Sequence, residues 1–140
     1  MELAKILRNK NIKVIEIPKW GSFLRKQWEE NFANDLTSDE KRSIFLNDSC
    51  GYLWHLFSYE KRACLQGEEA NKAFNNIPKV SCYVFYQRTN YALIVESASS
   101  FSVDDLIEES DIYIVDRAFN WTYIKTHETG YLGPYFRTRH

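Results

Sequence analysis

Glycine, proline and cysteine are all scarce in this chain. Its 140 residues include 5 Gly, 3 Pro and 3 Cys, and no Gly/Ser-rich tract, repeat or low-complexity segment marks a boundary between domains. The cysteines at 50, 64 and 82 are odd in number and widely spaced, without a Cys-x-x-Cys pair. This pattern argues against a disulfide scaffold or a zinc ribbon. We therefore expect one domain over residues 1–140, in which the reduced thiols are small core side chains.

An excess of one charge and a long apolar run are also missing. The 18 basic and 19 acidic residues leave a net charge of −1, whereas nucleic-acid-binding proteins usually carry a basic excess. No apolar run approaches the roughly 20 residues that cross a bilayer, and residues 1–5 lack the apolar segment of a secretory signal. The sequence thus predicts a cytoplasmic protein with no nucleic-acid partner and no membrane partner.

Aromatic side chains, by contrast, are abundant. The chain has 9 Phe, 9 Tyr and 4 Trp, together 16% of its residues. Each large ring buries about 150–250 Å², so a few of them stabilise a small core. A surplus of Tyr and Trp also suits a contact surface, because both have an apolar body and a polar tip. We expect an aromatic core and leave open a role in binding.

Runs of β-branched and aromatic residues predict about six strands, at 12–17, 50–58, 80–87, 91–96, 112–115 and 121–127. The segments 80–87 and 91–96 flank a turn of three residues, and 112–115 and 121–127 form a second hairpin. Strands joined by tight turns favour a mostly antiparallel sheet.

About five helices are predicted to cover mainly one face of that sheet, which gives an α+β fold. In the clearest of them, Trp20, Leu24, Trp28 and Phe32 recur at four-residue spacing. This stripe is typical of an amphipathic helix packed on a core, although a stripe that docks a partner is the alternative. The other helices are expected at 3–8, 37–47, 67–76 and after Ser102.

The dipeptide His127-Glu128 is the main candidate for chemistry, because it lies where a strand meets a Gly turn. A neutral imidazole held by a carboxylate can act as a general base. Adjacent strand residues point to opposite faces, so Glu128 would not orient His127. Another carboxylate, such as Asp116 or Glu60, would be needed. The pattern favours the alternative, a strand-end histidine that is hydrogen-bonded to backbone or water.

A metal site is a further hypothesis, with His55 and His127 as ligands together with Cys50. The wide spacing of these residues differs from the close ligand pairs of most zinc sites, and it favours His55 as a hydrogen-bonded core residue. No nucleophile elbow, dinucleotide-binding loop or phosphate-binding loop is present. The sequence therefore predicts no cofactor and leans away from an enzyme.

Six segments resemble the YxiF-like family of short uncharacterised Bacillus proteins, a domain of unknown function. They are IEIPKWG (15–21), WHLFSY (54–59), CYVFYQ (82–87), DIYIVD (111–116), WTYIKTHE (121–128) and GPYF (133–136). The resemblance spans nearly the whole chain and brings no catalytic residue and no ligand. Since some relatives are encoded near contact-dependent toxin genes, it implies an immunity or toxin-neutralising role.

We therefore predict a non-enzymatic protein-binding domain that acts as an immunity-type inhibitor of a toxin-like protein. The alternative is a small enzyme that uses His127 with a nearby carboxylate.

Overall fold

The computed structural model describes residues 2–33, 39, 64–128 and 133–139. These residues form three α-helices, one 3-10 helix and seven strands. In chain order they are α1 (Glu2–Asn9), β1 (Lys13–Glu16), α2 (Gly21–Phe32), β2 (Leu65–Gln66), α3 (Glu68–Asn76), β3 (Ser81–Tyr86), β4 (Ala92–Glu96), the 3-10 helix (Val103–Leu106), β5 (Ile112–Asp116), β6 (Trp121–Lys125) and β7 (Tyr135–Thr138). The α+β class is confirmed.

The predicted number of about five helices is not supported by the described residues. The predicted helix at 37–47 and the predicted strand at 50–58 lie outside them. The short helix expected after Ser102 is a single 3-10 turn, which begins with a capping box between Ser102 and Asp105. A single turn is all that its four residues can form, because 3-10 segments rarely extend further.

All pairs in the sheet are antiparallel, and the strand order is β1-β4-β3-β5-β6-β7-β2. The two predicted hairpins, β3–β4 and β5–β6, form its centre and are joined through β3 and β5, where Val84 lies opposite Ile114. The strand β7 was not predicted. Its residues Tyr135 and Phe136 are buried.

One face of the sheet, which we call the covered face, packs against α1, α3 and the 3-10 helix. Phe74 of α3 lies at its centre, with its ring stacked 4.6 Å from that of Tyr123 and edge-on 5.3 Å from that of Phe101. The remaining core residues on this face include Leu3, Leu7, Val84, Val95, Leu106, Ile114 and Phe136. Burial of such side chains contributes roughly 25 cal/mol per Å², so this layer is a principal source of stability.

The opposite face, which we call the α2 face, packs against Leu24, Trp28 and Phe32 of α2. The indole Nε1 of Trp28 donates to Thr122 Oγ1 over 3.0 Å, which satisfies a buried polar pair. Helices therefore lie on both faces. The expectation that they pack mainly on one face describes α1, α3 and the 3-10 helix but not α2.

The β3–β4 turn fixes the start of α2. The backbone amide of Gly21 donates to the carbonyl of Asn90 over 2.9 Å, and Arg25 Nη1 donates to the carbonyls of Tyr86 and Thr89 over 2.9 and 2.6 Å. A Cβ atom on Gly21 would lie 2.4 Å from the Thr89 carbonyl oxygen. The residue must therefore be glycine, because only glycine allows the helix and the turn to approach this closely.

Two lysines form polar contacts between elements on the covered face. Lys10 Nζ lies 2.8 Å from Asp105 Oδ2, which joins the end of α1 to the 3-10 helix. Lys79 Nζ donates to the carbonyl of Phe74, in the last turn of α3, over 2.5 Å and to the carbonyl of Ile77, just after that turn, over 3.2 Å. A cation at this end satisfies carbonyls that lack a partner within the helix. Burial lowers the pKa of Lys79.

Candidate functional site

The imidazole of His127 is paired with the carboxylate of Asp111. Its Nδ1 lies 2.9 and 3.1 Å from the two Asp111 oxygens, and the His127 backbone amide donates to Oδ1 over 3.1 Å. The β5–β6 register explains this contact. Because Ile112 lies opposite Lys125, Asp111 comes opposite Thr126 and beside His127. Asp111 has a positive φ of 50°, a conformation that Asp tolerates better than most residues.

This contact determines which nitrogen of His127 carries the proton in the neutral ring. A carboxylate only accepts hydrogen bonds, so Nδ1 is the protonated nitrogen and Nε2 is the basic one. Glu128 Oε1 lies 3.9 Å from Nε2, and the His127 side chain is partly exposed. An oriented imidazole of this kind is able to act as a general base.

The carboxylate that contacts Nδ1 of His127 is that of Asp111, whereas those suggested from the sequence were Asp116 and Glu60. Asp116 lies at the other end of β5, where its Oδ2 accepts from the amides of Ala118 and Asn120, both over 3.3 Å. Such contacts stabilise a turn, and Asp116 is not brought to His127. Glu60 lies outside the described residues. Asp111 was missed because its contact with His127 depends on the exact hairpin register, which the sequence pattern does not fix to one residue.

A half-open cavity of about 240 Å³ lies beside Asp111. Tyr86 forms part of its wall, and its hydroxyl donates to Glu109 Oε1 over 2.6 Å. Burial raises the pKa of Tyr86, so the phenol remains a hydrogen-bond donor. The cavity is lined by Tyr86, Gln87, Arg88, Thr89, Ser110 and Asp111. Asp111 therefore links His127 to a space of the size of a small ligand.

Of the suggested metal ligands, only His127 is among the described residues, and His55 and Cys50 lie outside them. The part of the chain that is described contains no group of three metal-binding side chains. Cys82 is fully buried, and burial raises the pKa of its thiol to about 12. Burial likewise raises the pKa of the half-buried Cys64 to about 11. Both thiols remain protonated near neutral pH, and Cys82 is a core side chain as predicted.

Large apolar side chains are exposed where β1 leads into α2. Trp20, Phe23 and Ile15 are 43%, 52% and 38% exposed. The ring of Trp20 lies 5.4 Å from Phe23 in an edge-on contact and 6.4 Å from Tyr83. Ile15 lies opposite Ile94, which lies opposite Tyr83. These five residues, Ile15, Trp20, Phe23, Tyr83 and Ile94, are called the Trp20 surface below.

The exposure of Trp20 corrects the predicted core stripe. Leu24, Trp28 and Phe32 are buried as expected, but Trp20 is the residue before the first turn of α2. Its ring lies against Phe23 and Tyr83, outside the buried row that the other three form. The signal was Pro18 and Gly21 on either side of it, since both residues are typical of turns.

Charged residues border the Trp20 surface. Lys13 lies opposite Glu96, with Nζ 3.5 Å from a carboxylate oxygen, and Arg117 Nη1 lies 3.8 Å from the other oxygen. The Arg117 guanidinium also lies over the Tyr83 ring, 4.9 Å from its centre, a favourable cation–π distance. Lys19 is exposed beside Trp20 in the preceding turn. Among the described residues, the border therefore has three cations and one anion.

The described structure is that of an α+β protein with an antiparallel sheet between helices, a His–Asp pair beside a cavity, and an exposed aromatic surface. The model of the family described as Domain of unknown function (DUF4275) matches residues 1–136, and the chain belongs to this family. No curated protein and no solved structure matches the chain. Among the helices of the described residues, none is both long and apolar enough to cross a membrane.

Proposed function

We propose that this chain is a non-enzymatic protein-binding domain that contacts its partner through the Trp20 surface. The observation that supports this most directly is the exposure of two touching rings, Trp20 and Phe23. Trp is enriched among the residues that dominate binding energy, and large rings provide contact area with few rotatable bonds. Covering both rings would remove a large apolar area from water, which favours association.

The rigid attachment of α2 supports the same proposal. The contacts of Gly21 and Arg25 with the β3–β4 turn hold the start of the helix against the sheet. A surface that is already fixed loses little conformational entropy on binding, so more of the contact energy contributes to affinity. The Trp20 surface thus combines large rings with a preorganised backbone.

We further propose that the partner is a toxin-like protein and that the domain acts in the cytoplasm as an immunity-type inhibitor. The support for this finer statement is the resemblance of six segments to the YxiF-like family of Bacillus proteins, with its implied toxin-neutralising role. The exposed surface is compatible with such a role, because an inhibitor of this kind needs a contact surface and no reaction of its own.

For the test, the genes that neighbour this one are identified, and any toxin-like proteins that they encode are purified. Binding is measured by calorimetry, and protection is measured as growth of cells that produce the toxin. The wild type and the control Ile107→Ser, which alters a 70% exposed residue outside the surface, should bind and protect. The double variant Trp20→Ser/Phe23→Ser should bind at least about 10-fold more weakly and fail to protect. Equal protection by the double variant, or no binding of any of these proteins, would refute the proposal.

The second candidate function, a small enzyme that uses His127 as a general base, is favoured by the Asp111 contact and the adjacent cavity. In it, Nε2 would accept a proton from a hydroxyl group or water that approaches the partly exposed ring, since His127 is not among the residues that line the cavity, and Asp111 would stabilise the imidazolium that forms. Hydrolysis of chromogenic carboxylic and phosphoric esters would be measured. Asp111→Asn and His127→Gln should each lower the rate by at least about 100-fold, while Ile107→Ser should not. Rates equal to buffer for the wild type would exclude this chemistry for these esters.

A further inference from the structure

We infer that the partner presents apolar side chains flanked by carboxylates, so that it is an acidic protein segment. This inference rests on the proposed function and concerns the chemistry of the partner. It follows from how charged and apolar residues are arranged on the α2 face. The pairing register gives this arrangement directly.

Two neighbouring rows of side chains cross the α2 face of the sheet. One contains Lys13 and Glu96, which lie opposite each other on β1 and β4. The next row, two residues after Lys13 on β1 and two residues before Glu96 on β4, contains Ile15, Ile94 and Tyr83 of β3. Side chains at positions i and i+2 of a strand point to the same face. A charged row therefore directly borders the apolar row, on the same side of the sheet as Trp20 and Phe23.

The charged border has an unbalanced sign. Glu96 is shared by Lys13 and Arg117 at 3.5 and 3.8 Å, and Lys19 adds a third cation beside Trp20. One carboxylate cannot neutralise three cations, so the border attracts negative charge. Exposed pairs of this kind contribute more to association rate and specificity than to affinity. The rings would provide the affinity, and the cations would select an acidic partner.

A second copy of the chain fits this surface less well. Two copies that met through the Trp20 surface would place equivalent patches against each other. The cations Lys13, Lys19 and Arg117 of one copy would then approach those of the other. Like charges across an interface disfavour association.

Strand addition at β1 and stacking of nucleic-acid bases are also disfavoured. Ile17 N donates to Ala92 O, so alternate residues 13, 15 and 17 bond to β4, and the backbone N–H and C=O of Val14 point away from β4. Arg8 Nη2 already donates to the outward carbonyl of Val14 over 3.1 Å. A base that stacked on Tyr83 would have to compete with the Arg117 guanidinium.

The experiment selects short random peptides displayed on phage against the full chain at low salt. Peptides are retained if they bind the wild type and Ile107→Ser but not Trp20→Ser/Phe23→Ser. We expect these peptides to combine aromatic or aliphatic residues with neighbouring Asp or Glu. Their affinity for Arg117→Glu should fall about 3- to 10-fold, and it should decrease as salt is added.

Each other outcome contradicts a defined part of the reasoning. If the retained peptides lack acidic residues and bind Arg117→Glu normally, the inference fails while the proposed function stands. If no peptide depends on Trp20 and Phe23, the proposed function fails as well. If a fluorescent single-stranded oligonucleotide binds the wild type but not the double variant, the partner is a nucleic acid and not an acidic protein segment. If the wild type sediments as a dimer and the double variant as a monomer, the partner is a second copy of the chain.

Discussion

Phe74 of α3 and Phe23 of α2 are both helical phenylalanines that lie near the sheet, but Phe74 is 0% exposed and Phe23 is 52% exposed. Phe74 lies between α3 and the covered face, in contact with Phe101, Trp121 and Tyr123. Phe23 lies in the first turn of α2, where its ring contact is with Trp20. The difference shows that position relative to the sheet, and not residue type, decides which rings are core and which form a surface.

Replacing the buried ring gives the largest expected effect. Phe74→Ala should lower the free energy of unfolding by about 3–5 kcal/mol, because it removes buried area and leaves a cavity. Phe23→Ala is the matched control and should change it by less than about 1 kcal/mol. Urea unfolding followed by circular dichroism measures both values. Similar losses for the two variants would mean that the faces do not differ as described.

Gly21 tests whether the β3–β4 turn sets the position of α2. Gly21→Ala should lower the free energy of unfolding by about 1–3 kcal/mol, because its Cβ would overlap the Thr89 carbonyl and force the helix away from the turn. Ser22→Ala, at the exposed neighbouring position, should change it by about 0.5 kcal/mol or less. Thermal unfolding compares them. A Gly21→Ala protein as stable as the wild type would show that the turn and helix separate easily.

Trp20→Ser should change the free energy of unfolding by no more than about 1 kcal/mol. The ring is 43% exposed, so the loss of its contacts with Phe23 and Tyr83 removes little buried area. Trp28→Phe, the control in the buried part of the same helix, should cost more because Thr122 loses the indole donor. Chemical unfolding distinguishes the two. If Trp20→Ser proves the more damaging change, the exposed ring is structural.

The smallest expected effect is a pH dependence at the edge of the covered face. The hydrogen bond from the Tyr91 hydroxyl holds the pKa of Glu16 below its ordinary value of 4.5. A carboxyl group with a lowered pKa stabilises the fold above its ordinary pKa, and this contribution is lost as pH falls through the lowered value. Tyr91→Phe should therefore be slightly less stable than the wild type at neutral pH, and the difference should narrow in acid. If the stability difference between Tyr91→Phe and the wild type does not change with pH, it arises from packing and not from the hydrogen bond to Glu16.

Local structure could be predicted from the sequence where the pattern was strong. The hairpins at 81–96 and 112–125 combine β-branched or aromatic runs with a turn, and both were found. The strand Tyr135–Thr138 was missed because half of it is polar and its pairing with Trp121–Lys125 depends on the rest of the fold. The faces that the helices cover also depend on strand order, which local patterns do not contain.

The candidate site shows the same limit at a finer scale. Pairing Val115 with the first residue after the expected turn, Trp121, would place Asp111 opposite Lys125. The structure instead pairs Val115 with Thr122, which places Asp111 opposite Thr126 and in contact with His127. A shift of one residue changes the face on which every side chain lies, so His127 could be chosen from the sequence while its partner could not.

Short exposed hairpin turns are usually good places to insert an epitope tag or to open the chain for circular permutation. The turn at 88–90 is an exception, because Gly21 and Arg25 both bond to its carbonyls. An insertion there would detach a helix as well as lengthen a loop.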